Sequence, residues 1–514
     1  MMARISILAL LLTAASVWAQ PEAEPIFSVD FDQPDVLEAW SDGGELVEHD
    51  GGHALLIERP EGTEGTSTIV RCQVPVEEIA GKMITLQGAV KAEGVSVPPR
   101  SWNGVKVMLI LELDGGRQYP QLALDVGTYD WRTATRPVRV PLAVTGATLT
   151  LGLEKVTGRA WFDDITILVG RLWSGGRRYE VMDRVHDLPR LRGAMHGPDF
   201  VEEDFRTLAT EWGANHMRWQ INWRPMSRAR EWAKDLDAYD EWLAGALENC
   251  DRAVDLAEEL GVLLLVDLHC APGGRGGGSA NRIFTEKKYQ ARMLEVWAEI
   301  ATRYRGRKAV WAYEILNEPV EGHVTEGLMG WRDLATACVE VIRAIEPGKP
   351  GVVEPGPMGS PAGFDSFKPL DLDGIIYSCH MYLPHTFTHQ GVHGSEVGVV
   401  YPGIINGEQW DKERLREALA PARDYQLEFN VPMYIGEFSA IRWAPDGSAH
   451  RYLKDLIEVM EEWEWDWAYH AFREWSGWSV EHTGDRENPN PSPTQTDREK
   501  LLRSWFALNE RPTW

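Results

Sequence analysis

From residue 191 onward the sequence repeats one unit: a short apolar run that ends in polar residues, followed by a helical pattern. The runs are Leu191–His196, Asn215–Gln220, Gly261–His269, Ala309–Pro319, Gly351–Pro355, Gly374–Tyr382, Val431–Ser439 and Asp466–Arg473. Several are unbroken apolar stretches, such as Val262–Val266, which suits parallel strands buried on both faces. Helical periodicity fills the gaps at Asp237–Leu260, Glu286–Tyr304, Leu328–Ile345, Lys412–Tyr425 and Ala449–Trp463. Eight such units over about 320 residues predict a (β/α)8 barrel, whose reactive groups sit at the C-terminal ends of the strands. The fifth unit is the least regular, because no good helix follows Val353.

Residues 25–170 follow another pattern. Short strand-like runs, among them HALLIER, STIVRCQV, MITLQGAVKA, VKVMLILELD and ATLTLGLEK, alternate with Asp-Gly-Gly and proline turns. Many short strands without helices predict a β-sandwich. With acids near its start (Asp30, Asp32) and end (Asp163, Asp164), the region resembles the jelly-roll carbohydrate-binding modules appended to polysaccharide hydrolases. That resemblance implies a structural calcium held by such acids, a hard cation that takes oxygen ligands. Solvated turn acids are the plainer alternative. Trp102, Tyr119, Tyr129 and Trp131 are candidates for a sugar-stacking platform.

Four segments are therefore expected in the 514 residues. Residues 1–19 read as a signal peptide, with Arg4, an apolar run over Ile5–Ala15 and a Val17-x-Ala19 cleavage pattern. Residues 25–170 form the sandwich, 171–190 a linker and 191–514 the barrel. The leader predicts a secreted or periplasmic protein, and no later stretch is long and apolar enough to span a membrane. Cys72, Cys250, Cys270, Cys338 and Cys379 are odd in number and have no metal-site spacing, so most are expected as buried thiols, with one pairing among the last four left open. Acidic residues outnumber basic ones by 78 − 52 = 26, a balance that disfavours nucleic acid and acidic polymers as partners. A neutral polysaccharide or oligosaccharide fits better. The 23 tryptophans belong mostly in the core, yet the residue also suits stacking on sugar rings.

Polar residues occupy six of the predicted strand ends: Arg218, Asp267-Leu268-His269, Asn317-Glu318-Pro319, His380-Met381-Tyr382, Glu437-Phe438-Ser439 and Arg473-Glu474-Trp475. A purely structural barrel does not require them, so they mark a pocket. Glu318 and Glu437 lie across the barrel mouth, the placement that glycosidic cleavage demands of its acid and its nucleophile or base. Arg218 and Tyr382 can donate hydrogen bonds to Glu437 and keep it ionised. Neutral His269 and His380, each with one donor and one acceptor, suit hydroxyl recognition. Asn317 and Glu318 are neighbours and reach the same pocket only if the strand bulges or ends before Pro319. Glu314, four residues earlier, is expected to be buried and paired.

EILNEP on the fourth strand and YIGEF on the seventh resemble glycoside hydrolase family 5, a family of retaining (β/α)8 enzymes. The resemblance implies Glu318 as acid/base, Glu437 as nucleophile and Asn317 as the residue that binds the sugar 2-hydroxyl. Arg218, His269, His380 and Tyr382 match further positions of the family. It implies no required cofactor and no catalytic metal. A tryptophan that stacks under the sugar is common at the end of the eighth strand, but His470 and Ala471 stand there, so Trp475 is the first choice for substrate stacking and Trp478 the second. The glycine-rich loop APGGRGGGSANRIF is a pocket wall or lid and lacks phosphate-loop residues. His385 and His389 have helical metal-ligand spacing, but Pro384, Gly391 and Gly394 argue against a helix there. The expected activity is that of an endo-β-1,4-glucanase, with an exo-acting β-glycosidase or a β-mannanase as alternatives. A carbohydrate-binding protein without activity is the reading from another class. No GxSxG-type motif supports a protease or esterase.

Overall fold

The computed structural model describes residues 25–33, 35–41, 43–63, 65–100, 102–171, 186–223, 232–276, 279–392 and 394–513. The leader expected at 1–19 and most of the linker expected at 171–190 lie outside these residues. The chain divides into two compact units, Met1–Leu172 and Trp173–Trp514.

The N-terminal unit contains two antiparallel sheets. In one, Glu45–His49, Gly52–Arg59, Gly158–Val169, Met83–Val95 and Gly127–Arg139 follow in that spatial order, and Phe27–Val29 also pairs with Gly158–Val169. The other runs Ser67–Gln73, Val144–Glu154, Gly104–Leu113, Gly116–Gln118. Alternate residues from both sheets, including Ile57, Val90 and Phe162 from the first and Val107, Leu149 and Leu151 from the second, enter one apolar cluster. Asp163 and Asp164 fall at a bulge within a strand rather than at its end, close in register to Asp30. The four candidate platform aromatics do not share a face. Trp102 and Tyr119 flank strands of the smaller sheet and are 55% and 54% exposed, whereas Tyr129 and Trp131 belong to the larger sheet.

The second unit is a closed parallel barrel of Arg192–His196, His216–Ile221, Leu263–Leu268, Val310–Glu314, Gly351–Val353, Ile375–Met381, Met433–Phe438 and Asp466–Phe472. The last strand closes the ring by pairing with the first. The helix Leu236–Leu260 shows how the sequence makes the outer layer. Asp235 caps its first amides, Leu243, Leu247, Cys250 and Val254 recur along its buried face, and Gly261 ends it at φ +65°.

Within the barrel the two-residue period of a strand separates two environments. Leu264, Val266 and Leu268 face the helices, while Leu263 and Leu265 join Val352, Ile376, Tyr434 and Ala468 in a cluster inside the ring. Above that apolar floor the same inward positions turn polar: Asp267 on the third strand, Arg218 on the second, Glu314 on the fourth and His380 on the sixth. The fourth strand ends at Glu314, five residues short of the expected Pro319. All five cysteines are buried free thiols.

Candidate active site

Arg218 is the centre of the polar layer and is fully buried. Its Nε donates to Glu314 Oε2 at 2.6 Å, its Nη1 to Glu437 Oε1 at 2.7 Å and its Nη2 to Asn317 Oδ1 at 2.9 Å. Asp267 Oδ2 is 3.2 Å from Nη2 and Glu354 Oε1 3.7 Å. A guanidinium suits this place because its planar fork serves several acceptors at once and never loses its charge. Burial would disfavour that charge, but Asp267, Glu314, Glu437 and Glu354 outweigh the effect. Glu314 is buried and paired, as expected; burial pushes its pKa up against the pull of Arg218.

Glu437 reaches the pocket through a bulge. Cys379 pairs with Ile435 and His380 with Glu437, so Gly436 is an extra residue on the seventh strand. A Cβ at Gly436 would lie 2.9 Å from His380 Nε2 and 3.0 Å from Ser378 Oγ, which explains the glycine. Tyr382 donates its hydroxyl hydrogen to Glu437 Oε2 at 2.9 Å, and His470 Nδ1 lies 3.0 Å from the same oxygen. Burial raises the pKa of Glu437, but His380, His470 and Arg218 hold the carboxyl well below its ordinary range.

Glu318 stands four residues beyond its strand in the left-handed region, at φ +47°. Few side chains adopt that conformation without local support. Here the support is polar: Glu318 N–H donates to Glu354 Oε2 at 3.1 Å, and Arg275 Nη2 donates to the Glu318 carbonyl at 2.7 Å. The turn lets Asn317 bond Arg218 while Glu318 lies against His380, the arrangement that an unbroken strand would forbid. With its oxygen engaged by Arg218, Asn317 has its NH2 to offer a ligand.

His380 lies among three carboxylates. Nδ1 is 3.1 Å from Glu318 Oε1 and 3.7 Å from Glu437 Oε2, and Nε2 is 3.2 Å from Glu354 Oε1. Burial opposes a charged ring, yet Glu354, Glu437 and Glu318 raise its pKa well above the usual value. The carboxylates around the ring favour its charged form over the neutral one expected. Burial lifts Glu354 to about 7 against the influence of His380. For Glu318, burial raises the pKa but the hydrogen bond and charge of His380 outweigh it, so the group lies below its ordinary value. His269 completes the wall, with Nδ1 2.7 Å from Asp267 Oδ2.

The structure therefore brings together Arg218, Asn317, Glu318, His380, Tyr382 and Glu437, with His269 bonded to an acid of the same cluster. Trp475 is 42% exposed and meets Trp478 and Trp443 edge-on, at 5.2 Å and 6.2 Å between centroids. Trp478 is stacked on Tyr382, at 5.3 Å between centroids. His385–Thr388 forms one helical turn, contrary to the expectation from Pro384, and places His385 Nδ1 3.4 Å from His389 Nδ1. The turn fits because a proline is tolerated immediately before the first helical residue. Two residues escape a reading of the sequence. Glu354 follows a strand of only three residues, and His470 sits between Tyr469 and Ala471 in a run that reads as core. The signal for each is a titratable residue at an inward strand end.

One carboxylate oxygen from each of Glu318 and Glu437 and one nitrogen of His380 lie within 4.8 Å of one another, and Glu314, Glu354 and His380 form a second such group. Either trio has the spacing of a cation site, but Arg218 already places a fixed positive charge against Glu314 and Glu437. Among the described residues no helix is long and apolar enough to cross a membrane.

Residues 183–484 match the family model described as "Cellulase (glycosyl hydrolase family 5)". Endoglucanase C of Acetivibrio thermocellus is 28% identical over 296 residues, covering 52% of this chain and 83% of that protein. Cellodextrinase A of Ruminococcus flavefaciens is 27% identical over 277 residues, covering 51% and 76%. A solved structure titled as a hyperthermophilic endo-beta-1,4-glucanase in complex with substrate aligns with a TM-score of 0.47 at 20% identity, over 61% of this chain and 96% of that one.

Proposed function

The chain belongs to glycosyl hydrolase family 5, and on that premise we propose that it cleaves internal β-1,4 bonds of a neutral glucan with retention of configuration. The observation that carries the stereochemical reading is the approach of Glu318 and Glu437, whose nearest oxygens lie within 4.8 Å. Retaining enzymes hold the two carboxyl groups about 5 to 5.5 Å apart, whereas inverting ones leave about 6.5 to 9.5 Å for a water between them.

Glu437 attacks the anomeric carbon as Glu318 protonates the departing oxygen. The carbon–oxygen bond to the leaving sugar breaks and an ester to Glu437 forms. Glu318, now a carboxylate, takes a proton from water, the water oxygen attacks the same carbon, and Glu437 leaves as a carboxylate. Arg218 and Tyr382 hold Glu437 by different oxygens, which fixes its plane. Glu318 needs a proton to act first as an acid. His380 Nδ1 lies 3.1 Å from Glu318 Oε1, and a proton passed across this hydrogen bond arms the acid. Every group in the cycle is a side chain or water.

The choice of β-glucan rests on the family and on relatives named as an endoglucanase and a cellodextrinase. The leader pattern at 1–19 supports action outside the cytoplasm. The N-terminal unit reads as a jelly-roll carbohydrate-binding module, supported by two antiparallel sheets around one core. The test is sugar release from cellulose, mixed-linkage glucan, xyloglucan, glucomannan, mannan, xylan and cello-oligosaccharides, with products separated by length. A ladder from a β-1,4-glucan is expected. Single sugars alone would replace the endo reading with an exo one, and silence on every glycan would sink it.

A further inference from the structure

Strand periodicity aims His470 into the barrel, because Ala468, two residues earlier, lies in the inner cluster while Tyr469 faces the outer one. Its ring is clamped by acids at both ends. Nδ1 is 3.0 Å from Glu437 Oε2 and also meets the Tyr382 hydroxyl, and Nε2 is 3.3 Å from Glu474 Oε2. Glu474 is itself held: Gln220 Nε2 donates to the same Oε2 at 2.8 Å, and Gln220 Oε1 accepts from Asn222 at 2.6 Å. Trp478 covers the ring, with centroids 4.8 Å apart. A continuous polar chain thus runs from Asn222 beyond the second strand through Gln220, Glu474 and His470 to Glu437 on the seventh.

We propose that His470 is a positioning residue for the nucleophile, kept doubly protonated by Glu474 so that its Nδ1–H holds Glu437 Oε2 through both halves of the double displacement. The proposal rests on the hydrolytic reading of Glu437 given above. Its chemical content is asymmetric. When Glu437 becomes an ester its charge disappears, and a histidine paired with Glu437 alone would lose its reason to stay charged. Glu474 does not react, so the imidazolium persists beside the ester. There it stabilises the carboxylate that must leave when water attacks.

The charged and titratable groups around the ring are Glu474 on its own segment, Glu437 on the seventh strand, and His380 and Tyr382 on or just after the sixth, with Arg218 of the second strand on the far oxygen of Glu437. Burial lowers the pKa of His470, but Glu437 and Glu474 outweigh this and lift it to about 9.

The experiment compares wild type with Glu474→Gln, which keeps the shape and removes the anchoring charge, and with Gln220→Leu, which leaves that charge but removes its hydrogen bond from Gln220, along with those of Gln220 to His196 and Asn222. Two readouts are taken on the full chain: the pH profile of kcat/KM on a soluble β-glucan, and ring nitrogen NMR of histidine-labelled protein, with the His470 signal identified by its loss in His470→Gln. In Glu474→Gln the alkaline limb and the His470 titration should both move to lower pH, by about one unit or more, and the acid limb should stay. Gln220→Leu should move them the same way by less. Folded variants whose alkaline limb and His470 titration match wild type would overturn the proposal, as would a wild-type His470 that is neutral at pH 7. If the wild type cleaves no glycan, the hydrolytic reading fails, and the NMR titration still tests the clamp by itself.

Discussion

At the scale of single residues the site is a problem in charge placement. Glu437 has to remain an anion in a buried pocket, and Arg218, His380 and His470 accomplish this against desolvation. Glu318 has to change state, and it is correspondingly less buried and bonded to a histidine that can exchange a proton with it. Removing each carboxyl should therefore have a different signature. Glu437→Ala should abolish turnover of every substrate, since no bond to the anomeric carbon can form. Glu318→Ala should lose roughly 10²- to 10⁴-fold in kcat/KM on polysaccharide. On an aryl glucoside with an acidic phenol the same variant should show a rapid burst of phenol followed by slow turnover, because only the second step still needs a base. Stopped-flow release of dinitrophenol separates these cases, and equal slowing on both substrates would remove Glu318 from the acid/base role. Much of this chemistry is legible in the sequence, because a strand-end Arg, Asn-Glu or Glu in an apolar run has few structural uses. His470 is not legible in the same way, since its value depends on a partner 33 positions away.

At the scale of elements, what the sequence conceals is the local departure from ideal geometry. The eight strands and five long helices follow from apolar runs and 3.6-residue periodicity, and the observed bounds differ from the expected ones mainly at element ends. A perfectly regular seventh strand, however, would turn Gly436 inward along with Tyr434 and leave Glu437 facing the helices. One extra residue reverses this, and an apolar pattern with a single glycine does not announce it. The fourth unit uses another device, an early strand end and a left-handed Glu318, foreshadowed by Pro319 but not located by it. Gly436→Ala tests the bulge. The added Cβ would press on His380 Nε2 and Ser378 Oγ, both parts of side chains that can shift only by disturbing the acid cluster. The variant should fold with a Tm a few degrees lower, as expected for about 1 to 3 kcal/mol of overpacking, while kcat falls at least 10-fold through misplacement of Glu437 and His380. Circular dichroism melts and initial rates suffice, and unchanged kcat would mean that the bulge carries no catalytic geometry.

At the scale of the whole molecule, the buried titratable groups of the barrel set the pH range in which it is stable. His216 is buried and its pKa depressed by desolvation to about 4, so it disfavours the folded state as pH falls from 6.5 through 4. Glu354, raised by burial to about 7, acts in the opposite sense: stability is complete below the ordinary carboxylate value of 4.5 and is lost as pH rises through 7. Between about pH 4.5 and 6.5 these two slopes oppose each other, and Glu314, also raised by burial, adds to the decline with rising pH. Glu437, with a depressed pKa, subtracts only below that window. On the alkaline side His380, raised well above its ordinary value, and His470 act in the same sense. The stabilising charge of His470 is fully present below the unfolded value of 6.5 and is lost as pH rises through about 9, a change on the order of 3 kcal/mol. The barrel should therefore lose several degrees in melting temperature between pH 6.5 and 9. Scanning calorimetry of the full chain across this range, beside His470→Gln, identifies the barrel transition as the one the substitution moves. In the variant the decline above pH 6.5 should be markedly shallower, because glutamine has no proton to lose. An alkaline slope identical in the two proteins would show that His470 is not charged in the folded barrel.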